Sequence, residues 1–413
     1  MSSSARFGSY LIIPLKHDAA DIHSVAAGLS AFPITSMDFN QNVKAMLSGV
    51  GNAAVGRCCR LDAEEIRRAV TGGRTGRLEV CREEERFSFD FYTSYLYLFR
   101  TGVAFLCLGI TYDRMEALNT LYSPGHANET APILLEGEPV GLEDGLTELC
   151  RGWGLRKFFD GPSSLLLEAF VHTTGLRTAY FSTLEELRRV TFRLHQMIPL
   201  EAGMDDESEE DTRYVYAVKS EEQEAYRWGC CISSQTLSYA VASESPDLAA
   251  ELDTQAADAL PMAVLMLYQK YTCLHFTALI ADRKEQSASS LRRLKQMMLE
   301  FRAYGRMTPA ILSRWHNVRR IYQHLLDTND VDAMVADISD KLNILAAEQE
   351  TAEARRSTRV INIITVFGIV SILASVLSII QILSGGGAIF WISTALTTLA
   401  LLVILGLAMF DRK

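Results

Sequence analysis

No two cysteines in this chain stand two residues apart, and none has a histidine partner at the spacing of a zinc site. The eight present (Cys58, Cys59, Cys81, Cys107, Cys150, Cys230, Cys231, Cys273) are expected as small, buried, reduced thiols of a cytosolic fold. Positive charge is also short. Lys and Arg number 40 against 50 Asp and Glu, a net charge of −10, which excludes the usual broad basic surface for nucleic acid. The N-terminus has one Arg and an apolar stretch of only six residues before Lys16, too short for a signal peptide, so the soluble part is expected in the cytoplasm. Neither a Walker A nor a Rossmann spacing occurs, and the eight histidines form no catalytic constellation, so no enzyme is expected.

The most informative absence is near the C-terminus. From Val360 through Phe410, 51 residues pass without one Asp, Glu, Lys or Arg. Ser384, Gly385, Gly386 and Gly387 divide the run into segments of 24 (Val360 to Leu383) and 23 residues (Ala388 to Phe410). At 1.5 Å per residue each reaches about 35 Å, enough for a bilayer core of about 30 Å. Two spanning helices are therefore expected, with SGGG as the outside turn. Arg355, Arg356 and Arg359 precede the first span, and Arg412 and Lys413 follow the second. Both termini are then inside, and the chain is expected in the cell inner membrane. The apolar run Ala259 to Ala281 holds Gln269, Lys270 and His275 in its middle, and reads as a buried or oligomer-interface helix rather than a third span.

Proline and glycine are absent between Asp330 and Gly368, and the stretch is rich in Ala, Glu and Leu. One continuous helix over 330–383 is predicted, capped by Asp330, about 80 Å long and running into the first span. At a period of 3.5, Gly368, Ser371, Ser375 and Ser378 share one face. Projected back, that face carries Asp340 and Glu350. The opposite face carries Val331, Val335, Ile338, Leu342 and Leu345, then Val366, Val370, Leu373, Leu377 and Ile380. Small-residue helix packing and a water-lined pore both fit the seam. In the pore reading Asp340 and Glu350 form a cation-concentrating vestibule, Asn362 and Gln381 suit the pore mouths, and Ile361 and Ile364 could close it by dewetting.

This order of parts, an N-terminal α/β domain, a very long helix that becomes the first span, a short outside loop and a second span ending in "AMFDRK", resembles the CorA family of metal-ion transporters. The resemblance implies a homopentamer whose first span lines the pore, here through Asn362, Thr365, Gly368, Ser371, Ser375, Ser378 and Gln381. Where that family carries Gly-Met-Asn, this chain reads "QILSGGGAIFW". The chain looks more like the divergent CorA-like proteins of bacterial defence systems, including those of type III CRISPR loci, which answer nucleotide messengers. The implied function is an ion channel gated by a small cytosolic ligand, a nucleotide or magnesium, with no cofactor required. A divalent-cation transporter and a membrane-anchored scaffold are the alternatives.

The fold class expected is an α+β cytosolic domain, a long helical stalk and two transmembrane helices. The divisions are 1–250 (α+β domain), 251–329 (helical stalk), 330–383, 384–387 and 388–410. Within the first, "SFDFYTSYLYLFRTGVAFLCLGITYD" alternates and then turns at Thr101 and Gly102, as a hairpin does. "RYVYAVKS" and "QTLSYAVAS" read as strands, and Ser182 with Glu185 as a capping box. Two stretches combine glycine with arginine, "LSGVGNAAVGRCCR" (Arg57, Arg60) and "TGGRTGR" (Arg74, Arg77), and are candidate phosphate loops as well as ordinary surface loops. "GMDDESEEDT" reads as a solvated loop rather than a cation sensor, and His316 and His324 as surface or interface residues rather than metal ligands.

Overall fold

A computed structural model describes residues 7–18, 22–49, 54–82, 84–121, 133–159, 169–178, 180–198, 200, 212–218, 225–281, 288–383, 387, 391–392, 394–396 and 398–399. The chain divides into two compact units, Met1–Ser339 and Asp340–Lys413.

The first unit is built on a sheet whose described strands are β1 (Phe7–Lys16), β2 (Gly56–Leu61), β3 (Leu78–Arg82), β4 (Glu85–Phe99), β5 (Val103–Tyr112), β6 (Ile133–Leu135), β7 (Glu138–Val140), β8 (Arg156–Lys157), β9 (Ala169–Arg177), β10 (Arg213–Val218), β11 (Tyr226–Ile232) and β12 (Thr236–Ser243). Their order is β10-β11-β12-β9-β1-β5-β4-β3-β6-β7, with β2 added to β4 and β8 to β1. β1 lies antiparallel to β5 and β9, while β12 runs parallel to β9. The expected hairpin is β4 and β5, reversed at Gly102, whose φ of +86° favours glycine. "RYVYAVKS" and "QTLSYAVAS" supply β10 and β12.

Helices cover both faces, so the central strands are buried almost throughout and do not alternate cleanly. α1 (Gln41–Met46), α2 (Ala63–Thr71), α3 (Met115–Leu121), α4 (Leu142–Gly152) and α5 (Leu184–His195) come first. Ile66, Val70, Leu146 and Leu187 from these helices share a core with Leu11, Ile13, Leu96, Leu98 and Leu106 of the sheet. α6 (Leu248–Ala257) and α7 (Ala259–Ala281) meet the alternate side chains: Tyr10 donates to the Leu252 carbonyl at 3.4 Å, and Phe99 stacks on Tyr268 with ring centroids 4.0 Å apart.

The Ala259–Ala281 run is thus a buried helix of this unit, as its polar residues foretold. Gln269, 1% exposed, donates to the Tyr322 hydroxyl at 2.8 Å and the Met307 carbonyl at 3.3 Å, and accepts from Met307 N–H at 3.2 Å. Lys270 donates to Asn329 Oδ1 at 3.2 Å. Then follow α8 (Ala288–Glu300), a π-helical turn at Phe301–Gly305, α9 (Pro309–Leu312), α10 (His316–Thr328) and α11 (Val331–Leu383). Residues 251–329 therefore belong to the same compact unit as the sheet.

α11 has 53 residues, about 80 Å of helix. Asp330 before it takes φ +50° and accepts Met334 N–H at its own carbonyl, 3.0 Å away. Val331, Val335, Ile338 and Leu342, at spacings of four, three and four, are all buried, whereas Asp340, Asn343 and Ile344 are exposed. The capping box of α5 sits one residue later than expected: Thr183 accepts Glu186 N–H at 3.0 Å, and the Glu186 carboxylate accepts Ser182 N–H at 3.0 Å.

The second unit holds the rest of α11. One helical stretch, Ser357–Ile380, is long and apolar enough to cross a membrane. Ser384, Gly385 and Gly386 lie outside the described residues, and Gly387 sits in a bend. The second expected span also lies largely outside them, with short helical pieces at 391–392, 394–396 and 398–399 described.

Candidate functional site

The candidate pore helix is assembled from α11 alone. None of Ser357–Ile380 is buried within the unit, and large apolar side chains such as Ile364 (63% exposed), Phe367 and Ile372 are mostly exposed. Exposed hydrocarbon on this scale is unfavourable in water and marks a surface suited to an apolar partner. Exposure is nevertheless uneven. Val366, Val370 and Leu377 are half-buried and fall on the apolar face, while Asn362, Thr365, Gly368, Ser371, Ser375 and Ser378 are exposed. Ile361 and Ile364 are exposed beside this seam. A Cβ added at Gly368 would meet nothing within 4 Å, so space remains there for a neighbour or for water. The side chains of Glu350 and Gln381 lie outside the described residues, and Asp340 is exposed.

Three of the seam hydroxyls are satisfied as donors. Thr365 donates to the Ile361 carbonyl at 2.8 Å, Ser375 to Ser371 at 2.8 Å and Ser378 to Ala374 at 2.9 Å. Such back-bonding removes the cost of bringing a hydroxyl proton into an apolar medium. It also turns the remaining lone pairs outward, so the seam offers acceptors, which suit water and cations.

The four arginines singled out for phosphate binding do not converge. Arg57 is 8% exposed in β2, with Nη2 donating to the carbonyls of Val25 and Ala26. Arg60 is exposed and reaches Thr93 Oγ1 at 3.4 Å. Arg74 donates to the Thr71 carbonyl, and Arg77 to Ser88 Oγ at 2.8 Å with Glu79 at 3.8 Å. "TGGRTGR" is therefore the end of α2 and a turn: Gly72 closes the helix in the left-handed region at φ +66°, and Gly73 and Gly76 also have positive φ. The two glycine-arginine stretches thus lie at separate places, and their arginine side chains meet local carbonyls and hydroxyls.

Among the described residues no group of three or more His, Cys, Asp or Glu is arranged to hold a metal ion. His316 and His324 share α10, and burial lowers the pKa of His324. The acidic run Asp205 to Asp211 lies outside the described residues. The cysteines are free and, Cys81 apart, buried; burial pushes the thiols of Cys150 and Cys273 up to about 12, which makes them inert. Two features escaped the sequence reading: the Gln269 bridge, whose one signal is a polar residue in an apolar run, and the burial of Arg57, for which local sequence carries no signal.

No family model matches the chain, and no curated protein is similar to it. A solved structure described as the complete structure of the CorA magnesium transporter from Methanocaldococcus jannaschii is similar over 60% of this chain and 92% of that one, at 15% identity and a TM-score of 0.21. Superposition that loose decides neither the fold nor the activity.

Proposed function

We propose that this chain is a homo-oligomeric ion channel of CorA-like architecture, whose first span lines the pore and whose N-terminal unit lies in the cytoplasm and gates it by binding a small ligand. The reading rests on α11. One unbroken helix of 53 residues has an apolar foot buried in the first unit and continues into an uncharged stretch with a polar seam. A helix is stiff enough to carry displacement from one end to the other. Several copies around an axis would turn the lone pairs of Thr365, Ser371, Ser375 and Ser378 toward water and permeating cations. Asp340 and Glu350 would enrich cations at the cytosolic approach.

By the family resemblance the copies number five, SGGG faces outward, 388–410 returns to the cytoplasm, and the bilayer is the inner membrane. The ligand is a nucleotide or magnesium. Lacking Gly-Met-Asn, the outer mouth does not carry the family's side chains for hydrated magnesium, which favours a ligand-gated channel over a selective magnesium transporter.

Flux in liposomes tests the pore. Ser371→Leu and Ser375→Leu should each lower cation flux at least about tenfold by narrowing and drying the seam. Unchanged flux in both variants would assign the seam to helix packing and the chain to the scaffold class. Stabilisation by magnesium alone, with none by nucleotides, would favour the divalent-cation transporter.

A further inference from the structure

We infer that Arg57 anchors a site in the N-terminal unit for a small phosphate-bearing molecule. This names the ligand class for the gating reading and rests on that reading only for its connection to the pore.

Arg57 is more than nine-tenths buried, yet no carboxylate among the described residues lies within ion-pair distance of it. Its Nη2 rests on two neutral carbonyls, Val25 at 3.2 Å and Ala26 at 2.9 Å, the Cys59 thiol, held neutral by burial, lies against the guanidinium, and among the described residues Nε has no hydrogen-bond partner. A buried guanidinium without counter-charge is costly, and a buried N–H without an acceptor adds to that cost. An anion with several oxygens removes both penalties at once, because the guanidinium fork matches paired phosphate oxygens.

Three neighbours shape the surroundings of this guanidinium. Ala26, a buried residue with a β-carbon, is held at φ +51° in the left-handed region, and such strain persists only where the surroundings impose it. Its carbonyl also accepts Leu29 N–H at 3.0 Å, so that oxygen is not stranded when the guanidinium turns away. On the other side Gly49, at φ +72°, lets the backbone pass so close that an added Cβ would lie 2.8 Å from Arg57 Cβ. The same Cβ would lie 3.6 Å from His23 Cε1 and 3.6 Å from Arg57 Cδ, so the His23 ring and the Arg57 stem flank Gly49. The carbonyls of 25 and 26 thus stand where phosphate oxygens would bind. Exchange would move the segment 22–29 and release the strain at Ala26.

The test uses the full-length protein in detergent, titrated with ATP and with inorganic pyrophosphate and followed by calorimetry and thermal shift. Binding of pyrophosphate as well as ATP would assign recognition to the phosphates; binding of ATP alone would add the nucleoside to the site. Arg57→Gln should weaken either ligand by at least about tenfold, and Arg57→Lys by less, because it keeps the charge and loses the fork. Ala26→Gly provides a second measure that keeps Arg57 and the fold. Relief of strain in the unliganded state should raise its melting temperature and weaken phosphate binding by about fivefold. Wild-type affinity in both Arg57→Gln and Ala26→Gly, or no response of the wild-type protein to either ligand, would overturn the site. Binding through Arg57 with ion flux indifferent to the ligand would keep the site and sink its link to gating.

Discussion

Gln269 shows how a single polar side chain can hold separate segments together. Its amide meets both backbone groups of Met307 and the Tyr322 hydroxyl, joining α7 to the chain ahead of α9 and to α10. Gln269→Leu is close in volume but leaves those three groups buried without partners. We expect a loss of about 2–4 kcal/mol in stability, measured by denaturation of the detergent-solubilised protein. His195 affords a pH test. Burial lowers its pKa to about 4 from an ordinary 6.5, and among the described residues its Nδ1 has no hydrogen-bond partner. Above pH 6.5 both folded and unfolded forms keep this imidazole neutral, and its full contribution is present. As pH falls from 6.5 toward about 4 only the unfolded form takes up the proton, so stability drops. A His195→Leu variant should show a shallower loss of melting temperature over that window, and an identical slope would exclude His195 as the cause.

At the scale of elements, α11 separates cleanly into a foot and a shaft. Ile338 is 1% exposed and Ile344 61% exposed on the same helix. Ile338→Ala should cost about 2–5 kcal/mol, while Ile344→Ala should stay within about 0.5 kcal/mol. Equal effects, read from melting temperatures, would contradict the placement of the buried face. This face was legible in advance because Val331, Val335, Ile338 and Leu342 follow helical spacing within an unbroken, proline-free stretch. The hairpin of β4 and β5 was equally legible from its alternation and its Gly102 turn. The α5 cap was misplaced by one residue because Ser182 and Thr183 are chemically equivalent caps, and only the backbone path decides which one accepts the amide.

For the whole molecule the decisive quantity is charge near the bilayer. In the proposed reading, Arg355, Arg356 and Arg359 on one side and Arg412 and Lys413 on the other would hold both ends of the uncharged 51-residue run in the cytoplasm by the positive-inside rule. A protease-sensitive tag after Lys413 should be cleaved in inside-out vesicles and protected in right-side-out ones. The reverse pattern would mean that 388–410 does not return across the membrane. Particle images of the intact protein should show five-fold symmetry, and any other symmetry would set aside the pentamer.

The sequence by itself determined what depends on local periodicity and on the absence of charge: a long helix with one apolar edge, an apolar membrane-length segment, a polar seam, and thiols with no motif to make them reactive. Only the tertiary structure decided what depends on segments distant in the chain. It buried Arg57 beneath the carbonyls of residues 25 and 26, gave the arginines of the two candidate loops separate local partners, and set Gln269 between Met307 and Tyr322. The physical reason is the same in each case. Helical and strand patterns are written in neighbours a few residues apart, whereas the cost or use of a buried polar group is set by whichever remote backbone the fold brings against it.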